Sequence, residues 1–142
     1  VPWRDGLFWL AIIAAGVYWG AAYLLLGRHP DPQWTQHLLY GVLIYPVLEE
    51  VVFRGLLQDL AHRHLGALRA LKLGPLSHAN ILVSLLFTGL HFIYHPPLWA
   101  ASVLAPSLIF GLLKDRTGRL IAPILLHMIY NAGDILVFRA TF

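Results

Sequence analysis

The sequence predicts an all-α fold, a polytopic membrane helix bundle of about five transmembrane helices, on three observations. Hydrophobic residues make up 58% of the chain and Asp, Glu, Lys and Arg only 12%, against about 25% charged residues in a typical soluble domain. The apolar residues come in long runs, several close to the roughly 20 residues a helix needs to cross a bilayer. The runs do not alternate, and an open sheet edge cannot persist in lipid. A soluble domain of 142 residues has too poor a surface-to-volume ratio to hide so much apolar surface; lipid removes the difficulty.

The first span is expected at Gly6–Leu26. It is too long and too continuous for a signal-peptide core and no clear A-x-A site follows it, so it reads as a retained span. The chain starts at Val1 rather than Met, which leaves room for residues upstream. Within this span Gly16-x-x-x-Gly20 can allow close helix contact, or is chance in a segment rich in Ala and Gly. The second span is expected at about His37–Leu57, with Glu49, Glu50 and Arg54 inside it. The third is expected at about His78–Tyr94. The fourth, about Leu98–Leu113, is short, and is expected to be tilted or incomplete. The fifth is expected at about Leu120–Phe138. The connections Arg28–Pro32, Asp59–Pro75, Pro96–Pro97 and Lys114–Arg119 are polar or hold breakers. None is long enough to divide domains, so residues 1–142 are expected to form one transmembrane domain.

The net charge of +3 and pI near 9.5 do not point to nucleic acid, because the basic residues sit between apolar runs and form no stripe. They point to an orientation instead. With the N-terminus in the cytoplasm, Arg4, Arg63, Arg69, Lys72, Lys114, Arg116 and Arg119 are inside, and Arg28 and Arg139 outside. The chain has no cysteine, which excludes disulfides and thiolate metal sites.

The second span is the informative one. A charge near the bilayer centre costs roughly 2.5–3.5 kcal/mol, about 7.5–10.5 for three, while its Leu, Ile, Val and Phe residues return about 4–7 in total. The helix must therefore turn its charges towards other helices or water. Glu50 and Arg54 are four apart and share a face, acid before base, the better order for an ion pair. Glu49 points about 100° away and has no local basic partner. A lone carboxylate at membrane depth protonates or meets a partner from another helix, which makes Glu49 a candidate general base. Partners are offered by two further spans: Phe87-Thr88-Gly89-Leu90-His91 in the third, and His127-Met128-Ile129-Tyr130-Asn131 with Asp134 a turn later in the fifth. His127, Asn131 and Asp134 share one face by i, i+4, i+7 spacing. The other six histidines fall in loops or near span ends and read as interfacial.

These residues resemble the CAAX protease and bacteriocin-processing (CPBP) family, whose best-known branch is the type II CAAX prenyl endopeptidases. That family's pattern is E-E-x-x-x-R, F-x-x-x-H and H-x-x-x-N on successive membrane helices. Here it reads Glu49-Glu50-Val51-Val52-Phe53-Arg54, Phe87 to His91, and His127 to Asn131. The resemblance covers a core of about residues 37–138 and carries nothing onto the first span. It implies peptide-bond hydrolysis within the membrane. By position, Glu49 and His91 would activate the water, His127 and Asn131 would stabilise the oxyanion, and Glu50 and Arg54 would shape the site. No cofactor is expected. A membrane-anchored or lipidated protein or peptide is the implied substrate: a prenylated tail, a sorting tail or a bacteriocin, with no sequence feature selecting among them. Small size and minimal loops resemble bacterial members, implying an inner (plasma) membrane location with the N-terminus cytoplasmic.

Two alternatives stand beside that reading. His91, His127 and a Glu can supply three zinc ligands and leave an open position, although H-E-x-x-H is absent. Intramembrane Glu, Arg and His also mark ion pathways, and a non-enzymatic membrane scaffold accommodates the same charges.

Overall fold

A computed structural model describes residues 1–26, 36, 38–64 and 74–138. The basic residues Arg28, Arg69, Lys72 and Arg139, the Arg28–Pro32 connection and the expected start at His37 lie outside the described residues. The fold is all-α. After a short turn at Pro2–Arg4, the described residues form five helices: α1 (Gly6–Leu26), α2 (38–64), α3 (His78–His91), α4 (Pro97–Thr117) and α5 (Ile121–Val137).

The ends have local causes. The Asp5 carboxylate accepts the Leu7 N–H at 2.9 Å and caps α1. The Arg116 guanidinium, 3.0 Å away, holds the Asp5 carboxyl below the usual carboxylate range. Ser77 caps α3 by accepting the Asn80 N–H at 3.1 Å. Gly118, at φ +65°, ends α4 in the left-handed conformation, its N–H bonded to the Lys114 carbonyl. The fourth span is longer than expected, because the polar turn Lys114–Thr117 continues the helix beyond its apolar run. It breaks for one residue at Val103, three before Pro106. A proline has no N–H to give and its ring crowds the carbonyl four residues back.

Helix α2 departs most from expectation. It runs on past Leu57 to His64, and alternates between two windings. Leu38–Ile44 and Val51–Leu57 are π-helical, while Tyr45–Glu50 and Gln58–His64 are α-helical. Pro46 accounts for the first wide stretch, since it removes an α-type bond at the join. Wide turns of this kind concentrate at functional sites, and here they flank the turn that carries Glu49 and Glu50.

Helix α5 is central and packs on α1, α2 and α4, while α3 closes the bundle against α4 and α2. A small apolar cluster of Phe8, Ala11, Phe110, Leu113, Ala122 and Leu126 joins α1, α4 and α5. Close approach occurs at two glycines. A Cβ on Gly133 would collide with the Trp19 ring, and one on Gly111 with the Asn80 amide. Gly16 and Gly20 instead face open space, so among the described residues no close contact forms at that motif.

The distribution of polarity is inverted relative to a soluble protein. Among the largest fully buried side chains are Arg54, Gln58, Glu50 and Asn80. Leu10, Ile13, Val17, Leu24, Leu25, Leu82, Leu85 and Leu86 are exposed. A large exposed apolar surface over a polar interior is the arrangement lipid requires. Among the described residues two helices, Gly6–Leu25 and Pro97–Thr117, are long and apolar enough to cross a membrane, and Ile121–Val137 is a shorter apolar helix. The expected five spans are thus five helices, of which two meet that length and composition. Charged groups gather at one end of the bundle. Arg116 meets Asp5, Lys114 meets Asp59 at 2.9 Å, and Asp115 accepts from Gln58 and Ser77 and pairs with His62.

Candidate active site

The α-helical turn between the two wide stretches of α2 presents Glu49 and Glu50 side by side. Glu50 is fully buried, while the Glu49 side chain keeps 33% of its exposure. His127 of α5 stands between them. Its Nδ1 lies 2.9 Å from Glu50 Oε1, and its Nε2 lies 3.7 Å from Glu49 Oε2. The imidazole is clamped by stacking on Phe110 at 4.8 Å and by the edge of Phe87. With Nδ1–H given to the carboxylate of Glu50, Nε2 is the nitrogen left to face Glu49.

The other oxygen of Glu50 is 3.4 Å from Arg54 Nε, so the ion pair expected from the i, i+4 spacing forms, with both side chains fully buried. It is a charge contact rather than a hydrogen bond, since Glu50 Oε2 and Arg54 Nε have no hydrogen-bond partner. The guanidinium is held elsewhere. Its Nη2 donates to the Ser107 hydroxyl at 2.6 Å and the Ser107 carbonyl at 2.9 Å, and it lies over the Phe87 ring.

His91, at the last turn of α3, donates Nδ1–H to the Phe87 carbonyl at 2.7 Å. A carbonyl cannot donate, so the neutral ring carries its lone pair on Nε2. Asn131 of α5 donates from Nδ2 to the Gly41 carbonyl, 2.7 Å away in the first wide turn of α2. The second Nδ2 hydrogen is not used by that bond.

Glu49, His91, His127, Asn131 and Asp134 line one cavity of about 240 Å³. Glu50 and Arg54 lie behind its wall. Glu49 and His91 also border a neighbouring cleft of about 220 Å³. Among the described residues no group of three His, Asp or Glu side chains is arranged to hold a metal ion. His127 and His91 each use Nδ1 within the protein, on Glu50 and on the Phe87 carbonyl.

Several cavity residues escaped the sequence reading. His95, taken as interfacial, lines the cavity, stacked on His91 and 4.2 Å from the Trp99 ring. His95 lies four residues on from His91, and Trp99 lies beyond the Pro96–Pro97 break, so no single helical periodicity links the three. Tyr130 also lines it, its hydroxyl bonded to the Ala11 carbonyl of α1. Asp134 accepts from Trp19 Nε1 at 2.8 Å, so α1, to which the motifs assign nothing, reaches the edge of the site.

Residues 31–133 match the family described as type II CAAX prenyl endopeptidase Rce1-like. The chain belongs to this family. All three Rce1-like motifs lie inside the matched stretch, and α1 lies outside it. The chain is also similar to the "Uncharacterized 24.3 kDa protein" of Escherichia coli, at 28% identity over 138 residues, covering 90% of this chain and 59% of that relative. The chain thus spans about three fifths of the length of this curated relative. No solved structure matches. Membership of a membrane-protease family joins the two candidate membrane helices and the inverted polarity in pointing to the membrane.

Proposed function

We propose that this chain forms the catalytic core of an intramembrane endopeptidase that hydrolyses a peptide bond near the membrane-anchored or lipidated, C-terminal part of its substrate. The observation that carries the reading is the convergence of Glu49, His91, His127 and Asn131 on one cavity inside an apolar-coated bundle. Glu49 and His91 Nε2 both offer lone pairs to a water between them, which is what a nucleophilic water needs. Glu49 takes the proton as the water attacks the carbonyl carbon. The oxyanion forms opposite, where Asn131 has an N–H to give and His127 presents Nε2. With Nδ1–H bonded to Glu50, His127 donates from Nε2 only when the ring holds both protons. Glu49 lies 3.7 Å from that nitrogen, so the proton taken from water passes to His127, and on to the leaving amine, once the two side chains close to hydrogen-bond distance. Glu50 and Arg54 touch no substrate in this scheme and fix the imidazole.

In the same reading all five helices span the membrane, with the charged end and N-terminus cytoplasmic, in a bacterial inner membrane. The turn at 92–96 joins α3 to α4 at the opposite end, and its Tyr94 and His95 wall the cavity.

The test is cleavage by the purified protein in liposomes of prenylated, sorting-tail and bacteriocin-type peptides, with products read by mass in oxygen-18 water. The proposal expects one label in the new carboxyl group and activity that survives a chelator. Absence of cleavage across all three peptide classes, by protein shown to be folded, would overturn it.

A further inference from the structure

We propose that Ser107 is a positioning residue of this site, acting through Arg54 and Glu50 to hold His127 in one tautomer and orientation. The proposal rests on the peptidase reading and deepens it. Ser107 belongs to none of the three motifs and lies on α4, which contributes no motif residue. It is fully buried, and it follows Pro106, beyond the break that Pro106 imposes at Val103. Both acceptors of this one residue face Arg54 of α2. The Ser107 hydroxyl and carbonyl each accept a hydrogen from Arg54 Nη2, at 2.6 and 2.9 Å. Among the described residues Ser107 is the hydrogen-bond acceptor of Arg54, while Nε and Nη1 make no hydrogen bond.

The guanidinium is therefore aimed from the Ser107 side. Its Nε then stands 3.4 Å from Glu50 Oε2, and Glu50 Oε1 stands 2.9 Å from His127 Nδ1. The two oxygens belong to one planar carboxylate, so a guanidinium that swings turns the carboxylate, and the carboxylate turns the imidazole. Loss of the Ser107 hydroxyl leaves Arg54 with a single carbonyl acceptor and frees that swing. The consequence falls on His127, three residues along the relay, and not on substrate binding.

A neighbouring tie separates positioning from mere support. Gln58 Nε2 donates to the Gly111 carbonyl at 3.0 Å and to Asp115 at 2.7 Å, joining the same two helices without touching Glu50. The experiment compares Ser107→Ala, Ser107→Thr and Gln58→Leu for kcat, KM, thermal stability and the nitrogen-15 signals of His127. Ser107→Ala should lower kcat about tenfold, the equivalent of one charge-assisted hydrogen bond, with KM unchanged, and Ser107→Thr should restore it. The His127 signals should change from one tautomer to a mixture in Ser107→Ala alone. Gln58→Leu should lower stability and keep kcat. Parental kcat and parental His127 signals in Ser107→Ala would overturn the proposal, as would an equal loss in Ser107→Ala and Gln58→Leu that tracks the folded fraction. If the parent protein cleaves nothing, the peptidase reading fails and the His127 signals alone decide: unchanged signals in Ser107→Ala refute the relay, and altered ones support it.

Discussion

Glu49 and Glu50 are neighbours in the chain and opposites in the fold. Glu50 is closed off between His127 and Arg54, whereas Glu49 keeps a third of its side-chain exposure and faces the cavity. Their variants should therefore fail differently. Glu50→Gln and Arg54→Met each strand a buried charge, at a cost of roughly 3–5 kcal/mol, so folded yield after detergent extraction should fall along with activity. Asn131→Ala should lower kcat by about 100–1,000-fold with little change in KM, as loss of an oxyanion donor does. A rise in KM alone would remove Asn131 from that role. Because Asn131 also ties α5 to the Gly41 carbonyl, the comparison is made per folded molecule. The Glu50–Arg54 pair was legible in the sequence because i, i+4 spacing fixes a helical neighbour. The same spacing placed His127, Asn131 and Asp134 on one face, and all three line the cavity. Trp19 was not legible as the partner of Asp134, since 115 residues separate them and pairing between helices leaves no local pattern.

At the scale of elements, the helices matched the apolar runs closely, with α1 at its expected bounds, Gly6–Leu26. The wide turns of α2 were not legible, because hydropathy counts apolar residues and is blind to how the backbone winds. Nor was the packing role of the glycines. Spacing drew attention to Gly16 and Gly20, which meet open space, while Gly111 and Gly133 carry the close approaches. Burial against a specific side chain decides this, and no periodicity encodes it. Gly133→Ala should push the Trp19 ring off α5, and Gly111→Ala should displace the Asn80 amide. Each overpacked site costs about 1–3 kcal/mol, visible as a lower unfolding temperature in detergent. Gly16→Ala and Gly20→Ala should be neutral or raise stability by up to about 1 kcal/mol each through helix propensity. The reverse ranking would mean that α1 packs elsewhere.

On the scale of the whole molecule, the charged end and the site define, in the proposed five-span reading, a direction through the bilayer. Arg4, Lys114, Arg116 and Arg119 lie in or beside the cluster where Asp5, Asp59 and Asp115 find their partners, and the 92–96 turn lies at the other end. The absence of cysteine makes this direction measurable. In intact cells, Arg119→Cys should resist an impermeant thiol reagent and Tyr94→Cys should react with it; reaction of both from one side would contradict the five-span arrangement. The all-α class and the family were legible from composition and three motifs, since long apolar runs favour helices and chemistry fixes the motifs. The depth and closure of the cavity were not, because they depend on where the turns between helices come to rest. The central claim is that a carboxylate activates water in that cavity, and it is tested most directly by the turnover rate of Glu49→Gln beside the parent, at equal folded concentration in liposomes. Gln keeps the size and hydrogen bonding of the side chain and cannot accept the proton, so the account predicts a loss of about 100–10,000-fold, the range of general-base catalysis, with insertion and unfolding temperature unchanged. A Glu49→Gln protein that cleaves at the parental rate would contradict it.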